Sequence, residues 1–365
     1  MGARVPLGRR NALSEPRRLL AAVGGVGLAL MLILLLDGLW AGIESNITTD
    51  EDNVGAELYV AQTGARNFIG AVSQLPVDTV DTVRADPDIE WAVPVRSFLS
   101  IVGVHDRKVP VNVIGSTPGD PGGPWELRSG RVPAADDEVV VGSTLARQHG
   151  VEVGEQLDLL GARFTVVGTT TDAFMVSFVF MTHDAADALV RSPGTTSFVL
   201  VGTGDPAAVR ARLEASGLTV LDRDTLARND LGLVARAYQV PLTVMRGVAF
   251  AVGSIVIALT TYSAIAERSR EYGIVKAIGA RGRDLIRIAL QQSMIISLGG
   301  MIAGGLLYVV GRAVIVAARP QFAIVATAGN VGRALVAALL MGLVACVVPA
   351  RRLIRLEPAT AYRGG

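Results

Sequence analysis

Few of the 365 residues are of a type and spacing that could carry out chemistry, and that scarcity sets the first limits on function. The three histidines, His105, His149 and His183, are far apart in sequence, and nothing around them has metal-ligand spacing, so no bound metal is expected. Cys346 is the only cysteine, which excludes an intramolecular disulfide, a CxxC redox pair and a thiolate metal site. Neither a G-x-S-x-G elbow nor an H-E-x-x-H helix occurs, so no catalytic residue is assigned and a membrane-anchored enzyme is disfavoured. A phosphate-cradling G-x-x-x-x-G-K-[ST] loop requires a lysine, and only Lys108 and Lys276 are present, neither in that context. The chain is therefore expected to bind no nucleotide or other cofactor of its own.

Two groups of residues remain. The stretch Glu267-Arg-Ser-Arg-Glu-Tyr-Gly-Ile-Val-Lys-Ala-Ile-Gly-Ala280 reads as a short helix at a membrane surface. Ile274, Val275 and Ile278 are apolar on neighbouring helical positions, and Arg268 and Lys276 are expected to be free for acidic partners. Gly279 and Gly282 then permit a turn before Asp284 opens the next helix. The second group lies inside apolar runs. Asp37 is the acidic residue within the first run, and a charge there is costly unless paired. It is simply exposed at the interface, or meets Arg246 as a structural pair within one chain or across a dimer, or takes a direct part in transport. Arg312 and Arg319 read as interfacial anchors that snorkel. Gly38 and Gly42, and again Gly300 and Gly304, are four apart, which permits close helix packing.

The elements that must position these residues follow from the distribution of apolar and charged side chains. Half of the chain is apolar and 18% is charged, and the mean hydropathy is +0.45. This excludes disorder, a collagen-like chain, a small disulfide scaffold and a purely cytosolic enzyme. Four apolar runs are each long enough for a membrane span, which needs about 20 residues. Basic residues gather in residues 1–18, with five Arg, in 267–287, with six Lys or Arg, and in 351–365, with four Arg. Residues 43–240 carry 15 basic and 27 acidic side chains, a net of −12. Short cytoplasmic flanks are enriched in Lys and Arg, so both termini and the 267–287 connection are expected in the cytoplasm. The first run follows Arg17 and Arg18 like a secretory signal, but its length and the lack of a small-residue cleavage pattern favour a retained anchor.

The expected order is a cytoplasmic N-terminal segment (1–18), a span (19–43), an extracytoplasmic domain (44–240) and a second span (241–266). A cytoplasmic connection (267–287), a third span (288–318), a short outer loop (319–330), a fourth span (331–350) and a cytoplasmic tail (351–365) follow. Within the outer domain, Glu57–Gln62, Ile101–Val104, Val109–Ile114, Glu138–Val141, Gln156–Leu160, Phe164–Val167 and Ser197–Val201 have the alternating or β-branched character of strands. Val77–Ala85, Thr144–Gly150, Asp184–Arg191 and Pro206–Ser216 read as helices, and Leu226–Tyr238 as a helix leading back to the membrane. The fold class is thus an α-helical membrane protein with four transmembrane helices plus an α+β domain.

This arrangement resembles the MacB/FtsX-type permeases of ABC transporters. Arg268, Glu271, Lys276, Ala277, Gly279 and Ala280 match the family's R-x-x-E-x-x-x-x-K-A-x-G-A/S signature, with Tyr272 and Gly273 inside it. Pro349-Ala-Arg351 with Leu356-Glu-Pro358-Ala-Thr-Ala361 resembles its closing pattern, although Thr360-Ala-Tyr362 stands where A-L is commoner. Asn11 to Arg18 and Gly55 to Gln62 resemble its approach to the first span and the opening of its outer domain. The resemblance implies a MacB periplasmic-core-like outer domain and a coupling role for the 267–287 segment, seated in a groove of a separate ATPase subunit. ATP and Mg would be held by that partner, and a homodimer of this chain is implied. The expected activity is export or extraction of an amphipathic substrate, such as a lipid, haem, peptide or drug, by motion of the outer domain. The division-associated members imply another reading, a mechanotransmitter that regulates a cell-wall hydrolase. That reading needs an extracytoplasmic protein partner, for which Phe174 to Met181 is either a docking patch or a buried strand. The chain is expected in the inner (plasma) membrane, in contact with the bilayer, and no nucleic acid partner is expected.

Overall fold

The computed structural model describes residues 16–47, 53–68, 73–105, 107–171, 177–318 and 323–355. The chain divides into a helical unit, residues 1–42 with 238–365, and an α+β unit, Ile43–Ala237.

Pro16 opens α1 (Pro16–Ile47), which belongs to the helical unit over nearly all its length. The α+β unit then begins with β1 (Leu58–Ala61), β2 (Leu75–Pro76), α2 (Thr79–Arg84), β3 (Ile89–Val104) and β4 (Arg107–Ser116). Next come β5 (Leu127–Gly130), β6 (Glu138–Gly142), α3 (Ser143–His149), β7 (Gln156–Leu159), β8 (Ala162–Thr170) and β9 (Ser177–Thr182). The unit closes with α4 (His183–Val190), β10 (Thr195–Thr196), β11 (Phe198–Thr203), α5 (Pro206–Ala215) and β12 (Thr219–Asp222). Helix boundaries follow local chemistry. Thr182 Oγ1 accepts from Ala185 N at the start of α4, and Asp205 Oδ1 accepts from Ala208 N ahead of Pro206 in α5. Gly150, at φ +69°, ends α3.

The large sheet runs β12, β1, β11, β3, β4, β9, β6, β8, β5, and β7 pairs with both β3 and β8. Strands β3, β4, β9, β6, β8 and β7 therefore close on one another as a small barrel, while the first half of β3 continues through β11 into an open sheet with β1 and β12. Val111, Val113, Val139, Val141, Leu157 and Val166 are among the side chains filling the barrel. The open part is covered on both faces: Phe198 and Leu200 of β11 pack with Tyr59 and Phe180, whereas Val199 and Val201 pack with Val209 and Leu213 of α5. This is why β11 lacks the polar alternation of a one-sided strand. The barrel also brings together two histidines that are far apart in sequence: His105 Nδ1 lies 3.0 Å from the His149 carbonyl, and its Nε2 lies 2.9 Å from Glu155 Oε1.

Residues 174–176 lie outside the described residues, but Ser177–Thr182 is a fully buried strand hydrogen-bonded between β4 and β6. The sequence run around it supplies a core strand there, not a docking patch.

Next comes α6 (Arg223–Glu267), of which residues 238–267 belong to the helical unit, and the described part of that unit continues with α7 (Ser269–Ala277), α8 (Gly282–Ala318), α9 (Ala328–Ala345) and α10 (Val347–Arg355). Four helical stretches, 16–47, 223–267, 282–318 and 328–354, are long and apolar enough to cross a membrane. Two differences from expectation have clear causes. The leading helix and the second span are one continuous helix, α6, in which Pro241 is tolerated even though it cannot donate to the Ala237 carbonyl. The last span is interrupted at Cys346, because Pro349 has no N–H for the Ala345 carbonyl; the chain then continues as α10 across residues 351–355, expected to be tail.

Candidate functional site

Helix α7 begins after a single non-helical residue, Arg268, at φ −105°. Glu271 in its first turn and Lys276 in its last complement the helix dipole. Its C-terminus has a specific geometry. Gly279 takes φ +105°, Ala280 N donates to Val275 O at 3.2 Å, and Gly279 N donates to Lys276 O at 3.1 Å. This is a Schellman ending, which requires a residue free of the Cβ penalty at that position. The glycine of the signature is thus a stop that leaves Ile278 at the tip. Asp284 Oδ2 then accepts from Arg281 N at 3.1 Å as α8 starts.

The two faces of α7 differ. Tyr272, 3% exposed, and the buried Gly273 turn inward, and Tyr272 packs with Ile265, Leu285, Ile288, Ala350 and Leu353. Arg270, Glu271, Ile274, Ala277 and Ile278 are exposed, and Ile278, at 82%, is the most exposed large apolar side chain among the described residues. Lys276, expected to be free for an acidic partner, instead donates from Nζ to the Ile354 carbonyl of α10 at 2.8 Å. The reason is local: α10 passes close to α7 because Leu353 shares the Tyr272 cluster. Arg268, also expected to be free, adjoins Glu267, whose carboxylate Oε2 accepts from Arg18 Nη1 at 2.7 Å. Arg352 lies over the Tyr262 ring at 4.3 Å from its centroid. The segment is thereby fastened to α1, α8 and α10, and an apolar tip with a charged rim is left uncovered. Such a surface can dock into a protein groove.

At the opposite end of the helical unit, Asp37 is 2% exposed and Arg246 Nη1 donates to its Oδ1 at 2.6 Å within the same chain. Arg333 of α9, which the sequence reading did not single out, donates from Nε to Asp37 Oδ2 at 3.3 Å. Its Nη2 donates to Asn330 Oδ1 at 2.6 Å. The signal available was a third basic residue at the edge of an apolar run. Arg312 is not merely an extended anchor: its Nε donates to the Ile324 carbonyl at 2.7 Å. Arg319 lies outside the described residues.

The glycine pairs differ from each other. Gly300 and Gly304 pack against α1: a Cβ on Gly304 would lie 2.8 Å from the Gly27 carbonyl oxygen and 3.2 Å from Met31 N. Gly27, not singled out from sequence, is the reciprocal close approach. Gly38 and Gly42, expected to contact helices, mainly receive the chain after α8, where Ile324 and Ala323 occupy the space a Cβ would need. Val325 N donates to the Gly38 carbonyl at 3.0 Å, which holds that connection in place. Among the described residues no three His, Cys, Asp or Glu side chains are grouped to hold a metal.

Four apolar spanning helices, an α+β unit inserted after the first and a short surface helix before the third define a multi-pass membrane permease. The chain belongs to the MacB/FtsX-type family of ABC transporter permeases: residues 19–216 match the MacB-like periplasmic core domain and residues 243–358 the FtsX-like permease C-terminal domain. An uncharacterised ABC transporter permease of Mycobacterium tuberculosis is 28% identical over 97% of this chain and 98% of its own length. The pyoverdine export ATP-binding/permease protein PvdT of Pseudomonas fluorescens is 40% identical over 112 residues, 30% of this chain and 16% of that protein. The periplasmic region of MacB from Actinobacillus actinomycetemcomitans aligns with 50% of this chain and 96% of its own at 14% identity, with a TM-score of 0.38.

Proposed function

We propose that this chain is the non-catalytic membrane subunit of an ABC exporter, working as a homodimer with a separate ATPase that holds ATP and Mg. Both termini and residues 267–287 face the cytoplasm, and the α+β unit faces outward from the inner membrane. Motion of that unit moves an amphipathic substrate. The observation that carries the coupling role is the exposed Ile278 at the end of a glycine-stopped helix whose other face is fixed by Tyr272 and Lys276. A surface helix held on one side and bare at an apolar tip suits a partner that must push on the bundle, because force applied at Ile278 reaches α8 and α10 through packed side chains. The charge segregation supports the orientation. Relatives named as exporting pyoverdine support an export direction.

The test is purification of the intact chain from its host, with mass spectrometry of what accompanies it and ATPase turnover measured against lipids, haem and peptides. A co-purified ATPase with ligand-stimulated turnover is expected. An ATPase recovered together with a cell-wall hydrolase and unresponsive to every ligand would replace export by mechanical regulation. Recovery of no ATPase under conditions that keep the dimer intact would contradict the assignment.

A further inference from the structure

Four helices each bring one charged side chain to the end of the helical unit near the 323–327 connection: Asp37 from α1, Arg246 from α6, Arg312 from α8 and Arg333 from α9. The formal sum is three positive charges and one negative. Asp37 can balance only one guanidinium, and Arg246 holds it at the shorter distance, 2.6 Å against 3.3 Å for Arg333. The remaining contacts of the other two arginines are with neutral groups. Arg333 donates to the Asn330 amide oxygen and Arg312 to the Ile324 carbonyl. Asn330 Nδ2 in turn donates to the Val325 carbonyl at 3.1 Å, so Arg312 and Arg333 are tied through consecutive residues of one connection. Among the described residues, Asp37 is the one carboxylate in an ion pair with this group of arginines, and it is shared between Arg246 and Arg333.

We propose that this cluster binds the net-anionic headgroup of an amphiphile in the outer leaflet, with Arg312 and Arg333 contacting the headgroup. The inference rests on the orientation given under Proposed function and names a substrate class for it. Guanidinium groups donate to phosphate or carboxylate in paired hydrogen bonds, and three guanidinium groups to one carboxylate among the described residues favour a headgroup with net negative charge over a zwitterionic one. The apolar body of such a ligand has a surface to lie on. Val309 of α8 is 64% exposed and Val336 of α9 is 55% exposed, each three residues from one of the two arginines. Binding at Arg333 competes with its longer contact to Asp37 and leaves the Arg246 pair intact, so occupancy loosens the tie between α1 and α9.

The experiment is native mass spectrometry of the full-length chain in detergent with equimolar phosphatidylglycerol and phosphatidylcholine. The wild type is expected to retain phosphatidylglycerol about tenfold over phosphatidylcholine. The Arg312→Gln/Arg333→Gln double variant should lose about one bound phosphatidylglycerol and most of that preference. Arg283→Gln/Arg287→Gln, at the other end of α8, should retain the lipid lost by the double variant. Arg312→Lys/Arg333→Lys, which keeps the charge, should restore binding in part and separates charge from folding. Unchanged retention in the glutamine double variant would overturn the site. Displacement of the lipid by inorganic phosphate at equal concentration would overturn the amphiphile and leave a free-anion site. The measurement uses no ATPase, so a failed ATPase pull-down with intact lipid preference would count against the exporter reading alone.

Discussion

Asp37 is the residue at which the interior of the helical unit is most exposed to error, because its burial is tolerable only with both oxygens engaged. Asp37→Asn should lower the stability of the full chain by about 3 kcal/mol, the order expected when one partner of a buried ion pair is removed. Arg333→Gln alone should cost much less than Arg246→Gln, since the first contact is longer and more exposed; thermal unfolding of the three variants checks the order. The sequence made the Asp37–Arg246 encounter readable, as two charges at the same level of two apolar runs. Arg333 is 296 residues from Asp37, and only the fold joins them. In the α+β unit, burial pushes the His183 pKa below its ordinary value; Asp187 and Asp184 oppose that shift and the positive charge of Arg96 adds to it. A base with a folded pKa below its ordinary 6.5 contributes stability above that value and loses it as pH falls through the folded pKa. The thermal transition of the intact chain should therefore drop between pH 7.5 and 5.5, and by less in His183→Asn. Equal drops in both would remove His183 from the account.

Among the elements, α7 was the easiest to read and the easiest to misassign in detail. Its apolar spacing and two glycines predicted a short helix followed by a turn, and the structure supplies the reason for Gly279 in a positive φ. The role of Lys276 was hidden, because its partner is a backbone carbonyl 78 residues away, which comes within reach only when α10 packs against Tyr272. Tyr272→Ala should cost about 3 kcal/mol by emptying that cluster, visible as a lower melting temperature with reduced ATPase stimulation. Gly279→Ala should weaken coupling at near-normal expression, since it strains the helix stop without touching the span. Gly42→Leu and Gly304→Leu both place a side chain where backbone atoms already lie. Each should lower the yield of folded protein, and Gly24→Leu, where nothing lies within reach of a Cβ, should not. In the sheet, β11 was legible from its β-branched run at Ser197–Val201, whereas β9, buried on both faces, carries no alternation, so its sequence read either as a docking patch or as a buried strand.

Across the whole molecule, the division into a helical and an α+β unit follows from apolar runs of span length and from the charge difference between their flanks. Barrel closure through β7 was not legible, because it depends on pairing Val102 and Gly103 with residues 158–159, and strand order leaves no local mark in sequence. The continuity of α6 through both units was likewise hidden by Pro241, which in isolation reads as a break. The proposed coupling requires an ATPase to engage this chain at the exposed tip of α7. It is tested most directly by replacing the single native cysteine, Cys346→Ala, and introducing Ile278→Cys for cross-linking in native membranes. A cross-link from position 278 to a nucleotide-binding protein, with a yield that changes between ATP-bound and ATP-free conditions, is the predicted result. A co-purifying ATPase that never cross-links from position 278, but does so from a cysteine introduced at Arg147 of α3 in the α+β unit, would contradict it.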